Sequence, residues 1–305
     1  MNMLDCIVIG GGPSGLSASL TLGRARRNIA LFDDGTNRNK VTHESHGFIT
    51  RDGIKPQAFK EIGLKELENY PSISYFNTTI TEIIKDTSNE SYIVTTKDGQ
   101  QFSTEKIILA TGIQEMFSIQ NVRNYYGKSL FSCPYCDGWE LRDKPLVVMA
   151  DKEERALHMA KLIYNWSKDL VVVTNGLELS NEGVQELQKC NIKIKSEPIK
   201  NLIGEDGYLQ KIEFVTGETI TRSGGFVIPS FYRPNQFAEI LGCEIQDNGA
   251  VVTDGVGRTT QKNIYIAGET ETSGPSSLII SAADGNRAAV SVNTDLTMER
   301  FGLQA

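Results

Sequence analysis

Apolar residues in this chain come in short unbroken runs, and each run leads into a turn and then into a stretch with helical spacing. Residues 5–9 (DCIVI) predict a buried parallel strand, because a strand covered on both faces reads as continuous apolar sequence. The run opens into Gly10-Gly-Gly-Pro-Ser-Gly15. Leu16, Ala18, Leu20, Leu22 and Ala25 then follow with helical spacing. Residues 28–32 predict a second strand, ending in Asp33-Asp34. A helix joining two parallel strands is a right-handed βαβ unit. Residues 36–53 are polar and irregular, hold Arg38, His43, His46 and Arg51, and predict a long connection. A helix is predicted over 56–69. Short strands are predicted over 73–76 and 92–96, with Lys97-Asp98-Gly99 as a hairpin turn. Residues 106–110 form another buried run, which exits at Thr111-Gly112.

The pattern then restarts about 140 residues after its first appearance. Residues 145–149 predict a strand. Residues 153–166 predict a helix with Ala156, Met159, Ala160, Leu162 and Ile163 as its apolar set, and 169–173 the next strand. More short strands are expected across 187–232. Residues 263–267 form a last strand running into Gly268-Glu269, and a helix over 277–296 closes the chain.

A chain of 305 residues has room for about two domains. The 31 Lys+Arg and 38 Asp+Glu leave a net charge of −7, which argues against a nucleic-acid binder with a basic footprint. Mean hydropathy is −0.26, and no apolar run of about 18 residues suggests a membrane span. The N-terminus shows no basic segment followed by a cleavable apolar one. A cytoplasmic protein is therefore expected. Five cysteines are too few for a disulfide scaffold. Cys6, Cys190 and Cys243 are scattered and are expected to pack, whereas Cys133 and Cys136 form a CxxC.

Two groups of residues carry chemistry. In the first, Gly10-x-Gly12-x-x-Gly15 lies between strand and helix. Gly10 permits a tight turn, Gly12 lets a pyrophosphate approach the backbone, and Gly15 allows close helix–strand packing. Pro13 and Ser14 open the helix, whose free N–H groups suit phosphate. Asp33, 18 residues after Gly15, suits ribose hydroxyls and disfavours a 2′-phosphate. This motif alone does not separate FAD from NAD. In the second group, Cys133-Pro-Tyr-Cys136 can alternate between dithiol and disulfide. Asp137 stands beside it as a proton donor or acceptor. The competing readings are half of a zinc site, for which no second CxxC or His pair is evident, and two unrelated buried thiols.

Taken together, the Gly10 motif, Ala110-Thr111-Gly112, Cys133-x-x-Cys136-Asp137-Gly138 and Gly268-Glu269 resemble the low-molecular-weight thioredoxin reductase family over essentially the whole chain. The resemblance implies an α/β fold of two Rossmann-like three-layer domains. The FAD domain (1–114 and 246–305) would be split by insertion of a smaller NAD(P)-type domain (115–245) that carries the CxxC. It implies a homodimer. Cys136 would be the flavin-facing thiol, Cys133 the interchange thiol and Asp137 the acid–base group. Thr111, Gly112, Gly268, Glu269, Ser277 and Leu278 would join the Gly10 motif at FAD. The partner would be a thioredoxin-like protein or a small disulfide or dithiol.

The chain departs from the family pattern in several places. Glu269 replaces the usual Asp, and Ser276-Ser277 replaces Arg-Gln. Asp151 and Glu153 stand where the second dinucleotide motif should have glycines, which weakens NADP(H) binding there. Arg38-Asn39 and His46-Gly47-Phe48 resemble instead the loop of gliotoxin-type dithiol oxidases, which places Asn39 and His46 near the flavin. An oxygen-dependent dithiol oxidase and a flavin-bound redox sensor are the alternative functions.

Overall fold

The computed structural model describes residues 3–88, 90–272 and 274–303. Contacts divide the chain into two compact units. Unit 1 holds Met1–Lys40, Pro56–Gln114 and Phe231–Ala305, and unit 2 holds Val41–Lys55 and Glu115–Ser230.

In unit 1, Leu4–Ile9 lies at the centre of the sheet. Ile29–Phe32 and then Ile73–Phe76 lie to one side, all parallel, and Gln101–Leu109 lies to the other. The long strand Gln101–Leu109 divides its outer edge. Its first half pairs antiparallel with Ser91–Thr96, while Ile107, Ile108 and Leu109 pair with Ile264–Ile266. The central strand is buried on both faces, as its continuous apolar run predicts. Cys6 and Val8 pack with Leu16, Leu22 and Val292 of the helices Pro13–Arg24 and Leu278–Arg300. Ile7 and Ile9 point the other way, toward Ile83, Val94 and Phe237.

The second face also explains where the units change over. Phe237, Ala238, Cys243 and Val251 are buried in that same core. The 231–245 segment therefore clusters with unit 1. Residues 41–55 cluster with unit 2.

Unit 2 repeats the frame. Its parallel sheet runs Lys193–Lys195, Leu170–Val173, Leu146–Met149, Gly224–Val227 and Leu130–Phe131. The helix Glu153–Ile163 buries Ala156, Ala160 and Ile163 against it. The sequence reading did not single out the helix Asn181–Gln188. Ser180 caps it, and its side chain accepts a hydrogen bond from Gly183 N. No helix among the described residues is long and apolar enough to cross a membrane.

Candidate functional site: a dinucleotide cavity and a redox disulfide

Unit 1 holds a cavity of about 280 Å³ built on the Gly10 turn. Gly10 has φ +109°, a conformation that side chains other than glycine rarely adopt, and a Cβ there would lie 2.2 Å from the Ala110 carbonyl oxygen. Gly12 caps the helix in extended backbone with no side-chain hydrogen bond, Pro13 follows it, and no acid stands in the first turn. The positive end of the helix dipole therefore faces the cavity unanswered. A Cβ on Gly12 would meet no atom within 4 Å, so the backbone there is open to a ligand. Gly15 does not line the cavity. A Cβ on it would lie 1.7 Å from the Gly10 carbonyl oxygen, so it closes the helix against the turn, as its place in the motif predicts.

That close packing makes Gly15→Ala a disruptive change despite its small size. It is expected to cost about 1–3 kcal/mol of stability by overpacking and to weaken FAD retention. Thermal melts with and without added FAD would measure both, and an unchanged melting temperature would remove Gly15 from this role.

The strand ends supply the rest of the lining. Gly10, Gly12, Pro13, Ser14, Asp33, Asn39, Thr111, Gly112, Glu269 and Leu278 all reach the cavity. Gly268 and Ser277 stand just behind it. Gly268 adopts φ +68° beside Ser14, and the Ser277 side chain caps the helix Leu278–Arg300. The Thr111 Oγ1 is shielded from solvent and has no hydrogen-bond partner among the described residues. An unsatisfied buried hydroxyl is costly, and a polar ligand would relieve it. The glycine cradle, the open helix N-terminus and this hydroxyl fit a bound dinucleotide.

Two acids of the cavity carry partners that sequence reading missed. Asp33 accepts a hydrogen bond from Gly11 N at 3.1 Å and pairs with Lys60. Glu269 is gripped by Arg38 through two bonds, Nε to Oε2 at 2.9 Å and Nη2 to Oε1 at 2.6 Å. It also accepts from Ser276 N at 2.7 Å. The longer acid therefore binds the Arg38 segment to the last helix. No local signal marks either pair, since 231 residues separate Arg38 from Glu269.

Unit 2 holds the redox pair. Cys133 and Cys136 form a disulfide with Cα atoms 5.3 Å apart. The short helix Pro134–Asp137 brings them together, with Pro134 at its first position and Cys133 in extended backbone before it. Trp166 packs over this helix. A Cβ on Gly138 would meet its indole at 2.9 Å, and Tyr135 meets its ring edge-on at 5.8 Å. Tyr135, between the two thiols, and Trp139, just after them, are 74% and 65% exposed. Arg142 stacks on Trp139 at 4.0 Å.

Asp137 ends that helix. Burial pushes its carboxyl up to about 7, and the Glu140 carboxylate adds to the shift. A group poised there can both give and take a proton at neutral pH. His46 does not line the unit 1 cavity. Its Nε2 lies 3.7 Å from Glu140 and 3.9 Å from Glu44, and its Nδ1 lies 3.6 Å from Asp52. His46 thus stands beside Glu140, three residues from Asp137. The remaining cysteines are free, with Cys6 and Cys243 buried, and burial pushes the Cys6 thiol well up.

The comparisons agree with this geometry. Residues 4–285 match the pyridine nucleotide-disulphide oxidoreductase family. The crystal structure of a protein assigned as a thioredoxin reductase, TrxB, from Bacillus anthracis is 59% identical. It superposes with a TM-score of 0.96 over 98% of this chain and 100% of that one. Thioredoxin reductase aclD of Aspergillus oryzae is 28% identical across 97% of this chain and 98% of its own length. A thioredoxin reductase of Helicobacter pylori is 25% identical across 95% and 98%. The chain belongs to the pyridine nucleotide-disulphide oxidoreductase family, as a thioredoxin-reductase-like, FAD-dependent disulfide oxidoreductase.

Proposed function

We propose that this protein carries electron pairs between FAD, held on the Gly10 turn of unit 1, and a partner thiol–disulfide couple, using Cys133 and Cys136 as the relay. The observation that carries the reading is the closed Cys133–Cys136 ring with Asp137 on the same short helix, its carboxyl poised near neutrality. When bound, the flavin supplies a two-electron store. The chain's own residues do the rest. Gly10, Gly12, Pro13 and Ser14 would hold the FAD pyrophosphate, Asp33 its ribose, and Thr111, Gly112, Ser277 and Leu278 would hold the flavin, as the family resemblance implies. Lys60 and Gly11 N fix the orientation of Asp33.

Cys133 is the thiol that exchanges with the partner, and Cys136 is the thiol that communicates with flavin, as the family resemblance implies. Asp137 gives a proton to the departing thiolate or takes one from the attacking thiol. The partner is a thioredoxin-like protein, which the relatives' names support, or a small disulfide or dithiol. The exposed Tyr135 and Trp139 are the surface it would meet. The same resemblance implies a homodimer, and the N-terminal sequence reading expects it in the cytoplasm.

Anaerobic titration with dithiothreitol tests the reading. The first equivalent should open the disulfide and yield a thiol pair that labels at Cys133 and Cys136. The second should bleach the flavin's visible absorbance. Bleaching without new thiols at these positions would show that the pair is not the relay.

A further inference from the structure

We propose that unit 2, although built on the same βαβ frame as unit 1, does not take a pyridine nucleotide, and that electrons reach this protein from thiols through Cys133–Cys136. The inference rests on the thiol–disulfide reading above and concerns the donor.

The frame itself is sound. Leu146–Met149 and Leu170–Val173 pair in parallel register, Leu170 with Leu146 through Val173 with Met149. The helix Glu153–Ile163 joins them. The differences lie where a pyrophosphate would have to sit. Unit 1 turns through Gly10 at positive φ and leaves open space at Gly12. Unit 2 turns through Ala150, Asp151 and Lys152, all of which carry side chains, and none of which adopts positive φ. A phosphate cannot approach that backbone as it can at Gly12.

The helix N-terminus is also already answered. Glu153 and Glu154 stand in the first turn, where carboxylates satisfy the dipole that would otherwise attract phosphate. Glu153 is fixed there by a neighbour. It accepts hydrogen bonds from Ser180 Oγ at 2.5 Å and Ser180 N at 3.1 Å. The same Ser180 Oγ accepts from Gly183 N at 3.1 Å. Packing around the carboxylate is close, since a Cβ on Gly183 would lie 2.5 Å from Glu153 Oε1. These bonds from Ser180 hold the Glu153 carboxyl below its ordinary range, so it stays charged at neutral pH. A pyrophosphate arriving here would meet Asp151, Glu153 and Glu154 against Lys152 and Arg155.

The far end offers no compensation. After Val173 the chain continues Thr174-Asn175-Gly176, none of which is a cation, and Lys195, opposite Val173 on the neighbouring strand, is paired with Glu218 at 2.7 Å. Thr174 Oγ1 donates to the Leu177 carbonyl, and Asn175 Oδ1 accepts from Ile199 N at 2.8 Å. Both side chains are engaged within the fold. The residues present at this turn do not fit a dinucleotide.

Electrons then enter by exchange alone. A thiolate of the donor dithiol attacks Cys133 sulfur, the Cys133–Cys136 bond breaks, and Cys136 leaves as thiolate with Asp137 able to protonate it. The donor's second thiolate attacks the donor sulfur of the mixed disulfide and releases Cys133. The donor ends as a disulfide and the protein as a dithiol, with two electrons and two protons transferred.

The test uses the FAD-loaded protein under anaerobic conditions, with dithiothreitol, NADPH and NADH as separate probes. Dithiothreitol should bleach the flavin. NADPH and NADH should leave it oxidised at about 1 mM, the top of the ordinary KM range, and calorimetry should show no saturable heat with either. Saturable binding or bleaching by either nucleotide overturns the inference and leaves the thiol reading standing. Failure of dithiothreitol to reduce the Cys133–Cys136 pair overturns the thiol reading itself.

Discussion

Cys136→Ser leaves FAD bound and lowers thiol-driven flavin reduction by about 10³-fold or more, the scale on which loss of an essential nucleophile acts. A serine hydroxyl neither ionises near neutral pH nor forms the disulfide on which exchange depends. Retention of FAD is expected because every residue lining the cavity belongs to unit 1, whereas Cys136 belongs to unit 2. The flavin absorbance of the purified variant and its rate of anaerobic bleaching by dithiothreitol measure the two halves separately. A colourless variant would mean that Cys136 serves flavin retention instead. Bleaching at the unaltered rate would mean that electrons bypass the pair.

Asp137→Asn should slow thiol exchange at neutral pH by about 10²–10⁴-fold, the range of general acid–base effects. The sign of its effect on stability is opposite. Burial, reinforced by Glu140, raises the Asp137 carboxyl to about 7 in the folded chain, so the folded state holds this proton more tightly than the unfolded one. Stability contributed by the protonated carboxyl is present in full below about pH 4, the unfolded value, and falls as pH rises through about 7. A shift of this size is worth at most about 4 kcal/mol. Partial exposure screens part of it and leaves about 1–3 kcal/mol. The asparagine variant should therefore melt higher than the parent at pH 8, and the gain should vanish near pH 4. An equal change in melting temperature at both pH values would show that Asp137 does not titrate in this window.

The two predictions draw on different sources. The Cys136 result follows from a motif whose members are neighbours in sequence. The Asp137 result needs the environment of the carboxyl, which depends on how the short helix Pro134–Asp137 is covered and on Glu140 standing near it. His46 makes the same point. Its segment reads as a polar connection, and only the folded chain brings the imidazole to 3.7 Å from Glu140.

Asp33 and Glu269 were legible as strand-end acids because each follows an apolar run at a spacing that the βαβ frame dictates. Their partners, Lys60 and Arg38, were not. The helix Pro56–Leu67 shows its own periodicity, but not which strand end its lysine will meet. The 231–245 segment is not placed by sequence for a related reason. Its apolar residues Phe237, Ala238 and Cys243 show that something will cover them, not which sheet will do so.

The sequence by itself determined the doubled βαβ frame, the glycine turn that can accept a phosphate and the turn that carries acids in its place, and the single pair of cysteines close enough along the chain to form a small ring. These follow from local rules: strand and helix periodicity, backbone freedom at glycine, and the short reach between residues three apart. Only the tertiary structure decided the unpaired Thr111 hydroxyl, the Arg38–Glu269 grip, the near-neutral Asp137 and the anchoring of Glu153 on Ser180. Each depends on burial or on a partner distant in sequence. Those are properties of packing, and no periodicity along the chain encodes which surfaces will meet.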